Sequence, residues 1–179
     1  MTTTPVSNSY ITDIETLESM LASDPRPAAI ALLAADSTTQ TWYLQRATKI
    51  IDNMPLKGST YNYIDKSSPS SDEQALMFPR VINGYAYDWD DATSTAIVPE
   101  DVKKACAEEA IALYDFYISS PGDQKRRKLQ DQGVKSFSVG KLSESYGDVK
   151  VSSKWKGMHS QDAYDLIKQY VAGAIRPIP

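Results

Sequence analysis

With 179 residues, 41% of them hydrophobic and 23% charged, the chain can bury one sizeable core but is short for two. Its 19 Lys and Arg against 23 Asp and Glu leave a net charge of -4, so no global field draws it to phosphate backbones and any nucleic-acid contact must be local. A single cysteine, Cys106, rules out an internal disulfide, and a single histidine, His159, rules out the His/Cys sets of zinc sites.

In chain order, residues 1–9 are polar and lack the basic start and apolar stretch of a secretory signal, so export is not expected. Thr12-Asp13-Ile14-Glu15 has the form of a capping box and predicts a first helix from Asp13 to about Ala22, with Ile14, Leu17 and Leu21 on one face. Asp24-Pro25 predicts the start of a short apolar second helix. Ala28 to Ala35 is the longest apolar run, at eight residues. It falls far below the roughly 20 that a membrane-spanning helix needs, which predicts a soluble protein of a reducing compartment. Ser37 to Gln40 repeats the capping-box pattern, and Leu44, Ala47, Ile51 and Met54 form the stripe of a third helix that breaks at Pro55.

Residues 55–98 show no sustained helical period, and a segment that long inside one domain implies a task or a partner. Its aromatics Tyr61, Tyr63, Phe78, Tyr85, Tyr87 and Trp89 suit base stacking, but little Lys or Arg interleaves with them, which favours packing on the chain's own domain or a neighbour. Val98-Pro99-Glu100-Asp101 opens the clearest helix, running through Val102, Cys106, Leu113 and Tyr117 to the Ser120-Pro121-Gly122 stop. Beyond it lies the concentrated basic run Lys125, Arg126, Arg127, Lys128, open to two readings: a solvated loop, or contact with DNA or an acidic partner. A period of two then predicts a hairpin turning at Gly140-Lys141, with Val139 opposite Leu142 and Phe137 opposite Glu144. Ser160 caps a last predicted helix ending near Gly173, with Tyr164, Ile167, Tyr170 and Val171 on one face, and the two closing prolines keep the end extended.

Chemistry finds no foothold in these patterns. Asp88-Trp89-Asp90-Asp91 begins like a calcium loop but has Thr93 where the sixth-position glycine belongs and Pro99 where the twelfth-position glutamate belongs. Nucleophile elbows, Walker loops and dinucleotide fingerprints are absent, and Cys106 lies on the apolar stripe of its helix. The expectation is a protein without catalytic residues, metal or cofactor.

Four ordered segments carry a family resemblance. They are Ser9-Tyr10-Ile11-Thr12; Leu44 to Thr48 with Ile51-Asp52 and Gly58; Met77-Phe78-Pro79-Arg80; and Val98-Pro99 with Val102 to Ala105, followed by the 134–142 hairpin. Over residues 8–147 the chain resembles the head–tail connector (adaptor, or head-completion) proteins of tailed double-stranded DNA phages, often grouped as DnaT-like single-stranded-DNA-binding proteins. The resemblance implies a small helical bundle, and the residue patterns agree on a mainly α fold: a bundle at 1–133 with a long 55–98 loop, a β-hairpin at 134–147 and, outside the resemblance, an extended C-terminal arm ending in a helix at 148–179. It implies a structural virion protein in the neck, assembled in the host cytoplasm: a homo-oligomeric ring, usually of twelve, that binds the portal and the stopper or tail proteins and lines the channel for genomic DNA. The mild negative charge suits such a channel wall. The competing class is a single-stranded DNA-binding module acting in replication or packaging, with Lys125, Arg126, Arg127 and Lys128 as its contact. Trp155, Met158, Tyr164, Ile167, Tyr170, Ile175 and Ile178 carry apolar surface beyond the bundle and hairpin and are the candidates for docking to the portal or a neighbouring subunit; the alternative is that the final helix packs back on its own bundle.

Overall fold

A computed structural model describes residues 4–61, 75–83, 85–92, 95–118, 122, 125, 136–139, 142–145 and 157–172. Helix α1 (Ile14–Leu21) starts as the sequence predicts, but the cap is Asp13, whose carboxylate accepts the Thr16 N–H at 2.7 Å. Glu15 does not close a box with Thr12. It reaches back to the Thr4 N–H, tying the N-terminal strap to the helix. Helix α2 (Pro27–Leu33) begins two residues later than Asp24-Pro25 implies, with Pro27 in its first turn. Asp24 instead holds Arg26, which also forks onto Glu108 at 2.6 and 2.7 Å. Helix α3 (Ser37–Asp52) is capped by Asp36 on the Thr39 N–H, and Gln40 donates to the Leu32 and Leu33 carbonyls, locking α2 to α3. In both capping boxes the aspartate beside the Thr or Ser takes the cap, because a carboxylate is the stronger acceptor for a free N–H.

Helix α4 (Glu100–Ile118) is the axis of the molecule, packed by α1, α2, α3 and the C-terminal helix α5 (Gln161–Ile167). Buried on nearly every side, it carries Ala105, Cys106, Ala107 and Ala110 mid-length, and these small side chains let its neighbours approach closely. The predicted stripe Leu44, Ala47, Ile51 and Met54 is buried in the same cluster as Leu113 and Val102. No described helix is long and apolar enough to cross a membrane.

The aperiodic segment is built from short strands. β1 (Ser59–Thr60), β2 (Arg80–Ile82) and β3 (Tyr85–Ala86) form an antiparallel sheet in that order, and β4 (Trp89–Asp90) pairs with β5 (Thr95–Ala96). Asn83, with φ +53°, makes the tight β2–β3 turn that its Asn83-Gly84 sequence favours. The hairpin β6 (Ser136–Val139) and β7 (Leu142–Ser145) has the predicted register, Val139 opposite Leu142 and Phe137 opposite Glu144. The architecture is therefore mainly α with a hairpin.

Ser160 caps α5 as expected, through the Ala163 N–H, but the helix gives way to a 3-10 turn (Lys168–Tyr170) and ends earlier than Gly173. This segment is not a projecting arm over the described residues. Ile167 is fully buried, Met158, Tyr170 and Val171 lie in the core cluster, and Lys57 and Ala172 donate backbone hydrogen bonds to Tyr170 and Pro55. What holds it is Glu109, buried in the middle of α4. Its carboxylate accepts the N–H groups of His159 (2.8 Å) and Ser160 (2.9 Å) and lies 3.2 Å from His159 Nδ1.

Candidate nucleic-acid interface

The motif segments that are far apart in sequence meet in one buried knot. Tyr10 donates its N–H to Thr48 Oγ1 and its hydroxyl to Asp52, and Asp52 also accepts the Met77 N–H. Arg80 spends its guanidinium on the carbonyls of Leu56, Lys57, Gly58 and Met77. Gly58, with φ +75°, is required there, since a Cβ would run into the Val81 carbonyl. Burial raises Asp52 above the ordinary carboxylate range, against the hydrogen bonds from Tyr10 and Met77 and the charge of Arg80. Tyr10 is raised too, by burial first and Asp52 second. Tyr10 and Asp52 bond each other and Arg80 bonds four backbone carbonyls, so the knot is a clasp joining α3 to the β-rich segment. Cys106 sits behind it, fully buried and with its thiol pushed up to about 11 by desolvation, which keeps it out of nucleophilic chemistry. Among the described residues no cluster of His, Cys, Asp and Glu gathers as metal ligands.

Among the described residues, aromatic rings face water in two places. The first lies between α3 and α4. Trp42 is 50% exposed and Tyr117 44% exposed, with ring centroids 5.8 Å apart; Tyr43 meets Trp42 edge-on and is itself met edge-on by Tyr114. Arg46 and Lys49, one and two turns further along α3, are exposed on the same face, because positions i, i+4 and i+7 share a side of a helix. By the 1.5 Å rise they stand about 6 and about 10 Å from Trp42 along the axis. The second place is the β-rich segment, where Tyr85 (79% exposed) and Trp89 (45%) stand among Asp88, Asp90 and Asp91.

Residues 2–177 match the family described as "Putative DnaT-like ssDNA binding protein". The chain belongs to this DnaT-like family. No curated protein and no solved structure matches the chain. The match corrects the reading as a head–tail connector, along with the portal, the tail proteins and the ring that came with it: the family's description names single-stranded DNA binding, the reading the sequence resemblance had placed second. It also takes in residues 148–177, which the resemblance had left outside, and the packing of α5 on α4 gives the physical reason.

Within this DnaT-like chain the residues singled out from sequence scatter. Met158, Ile167 and Tyr170 serve the chain's own core, Tyr164 is half-buried against it, and Trp155, Ile175 and Ile178 lie outside the described residues. Of the basic run, Lys125 is described and exposed, and Arg126, Arg127 and Lys128 lie outside the described residues. Sequence reasoning missed Trp42, Arg46, Lys49 and Tyr117. The signal was present on α3, since all three of its residues fall opposite the Leu44, Ala47, Ile51 stripe.

Proposed function

We propose that this protein is a single-stranded DNA-binding module acting in replication or packaging, without a catalytic step of its own. A base stacks on Trp42 beside Tyr117, and the phosphates that follow it run along Arg46 and Lys49. The observation that carries this reading is a half-exposed indole followed on one helix face by two exposed cations, which pairs a stacking platform with a backbone track. The family description supports the same ligand. Unpaired strands are preferred because a duplex keeps its base faces covered. Lys125, Arg126, Arg127 and Lys128 add a sequence-independent electrostatic share.

With a net charge of -4 the affinity is modest and falls with salt. The test is fluorescence anisotropy with a labelled oligothymidylate, in competition with unlabelled single strand and duplex, at several salt concentrations. The reading predicts roughly micromolar binding, competed by single strand far better than by duplex, and a salt slope that loses about 0.7 for each phosphate contact removed in Arg46→Ala and Lys49→Ala. Equal competition by duplex, or slopes unchanged in both variants, refutes it.

A further inference from the structure

The β-rich face cannot share the DNA. From Val81 to Asp101 the chain has five acids, Asp88, Asp90, Asp91, Glu100 and Asp101, and no Lys or Arg. Among the described residues Arg80 is spent on four carbonyls and Lys57 on the Gln169 carbonyl, while Lys103 pairs with Glu100 and leaves the Asp88, Asp90 and Asp91 carboxylates beside the rings. A phosphate backbone meets only repulsion there. Yet the face is rich in exposed apolar surface. Ile82 and Tyr85 stand opposite each other across β2–β3, and Trp89 follows four residues on with its ring 6.3 Å from that of Tyr61. Tyr85 and Trp89 can be no more than about 14 Å apart, the reach of four extended residues.

We propose that this face docks a cationic segment of a partner protein, an extended peptide in which Arg or Lys alternates with aliphatic residues. Exposed Trp and Tyr rings are the side chains that anchor protein interfaces, and they attract guanidinium and ammonium groups to their faces. The carboxylates around them select the sign of the partner's charge and steer its approach. The neighbouring segment 62–74 does not complement the face, since it sets Lys66 against Asp65, Asp72 and Glu73. This inference is independent of the DNA reading, as it uses another surface and another ligand.

The probe is a fluorescein-labelled peptide of alternating Arg and Leu, titrated with the full chain, beside its Glu/Leu counterpart. The wild type binds the Arg peptide and not the Glu peptide. Tyr85→Ser with Trp89→Ala weakens binding by about fivefold or more, Asp91→Lys weakens it with no ring removed, and Trp42→Ala leaves it unchanged. Four results overturn the proposal: no binding of the Arg peptide by the wild type; binding that survives both the aromatic and the Asp91 variants; a self-associated chain in sedimentation that Trp89→Ala makes monomeric; or tighter peptide binding once Lys125 to Lys128 are neutralised, which means that the chain's own basic run occupies the face.

Discussion

The α3–α4 strip and the β-rich face expose the same chemistry, an indole beside a phenol, and differ in what surrounds it. Along α3 the next exposed side chains are Arg46 and Lys49, whereas Trp89 is flanked by the half-buried Asp88 and Asp90 and the exposed Asp91. An exposed aromatic marks a binding surface, and the charge of its neighbours decides for which ligand. The two surfaces also rest on different supports. Trp42 and Tyr117 ride on α3 and α4, continuous helices whose inner faces form the core. The β-rich face is held through the Asp52 and Arg80 clasp and by the C-terminal segment, where Tyr170 meets Phe78 and Tyr87 edge-on and Val171 bridges to Leu56.

The comparison can be broken outright at α4, which both surfaces need. Leu113→Asp places an unpaired charge in a fully buried position and should cost more than about 4 kcal/mol. The expected outcome is loss of the cooperative melt by circular dichroism, with oligonucleotide and peptide binding lost together. A retained melt would mean that α4 is not the axis.

A smaller change separates the surfaces. Glu109→Ala leaves the His159 and Ser160 N–H groups without their acceptor, at about 1 kcal/mol for each of these part-buried donors. Hydrogen exchange should rise over 157–172 and over the strands that this segment holds, with α3 still protected and oligothymidylate binding within about twofold of wild type. Equal loss of protection on α3 would show that the two supports are one.

The smallest effect is a pH dependence at the clasp. Because burial raises Asp52, the folded state favours its protonated form, so its contribution is fully present below the unfolded value of about 3.9 and is lost as pH rises through the raised folded value. Asp52→Asn keeps an Oδ1 acceptor for Tyr10 and Met77 and never ionises. Its melting temperature should therefore gain on the wild type as pH rises above about 4, by no more than about 3 °C given the water that still screens this group. A gain that shrinks with rising pH would contradict the assignment.

Much of the helical scaffold was legible in the sequence because it rests on local rules. The Leu44, Ala47, Ile51 stripe, the Pro99 start of α4 and the Gly140-Lys141 hairpin each follow from spacing within a dozen residues. The β-rich segment was not, because its strands are two or three residues long and are specified by distant partners such as Arg80 on the 56–58 carbonyls. The C-terminal segment misled for a related reason. Met158, Ile167 and Tyr170 looked like surplus apolar surface only because the acceptor that anchors their segment, Glu109, lies fifty residues away and reads in sequence as one more helix charge. The candidate site was readable in part: Trp42, Arg46 and Lys49 follow from helical spacing, whereas Tyr117 joins them only through the α3–α4 packing.

The most direct test of the central claim, that DNA runs along α3 and avoids the acidic face, is photo-crosslinking of the full chain to a bromodeoxyuridine-containing single strand, with the adducts mapped by mass spectrometry. The account predicts adducts on Trp42 and Tyr117, lost when excess unlabelled single strand competes. Adducts on Tyr85 or Trp89, or adducts confined to the Lys125 to Lys128 run, would contradict it.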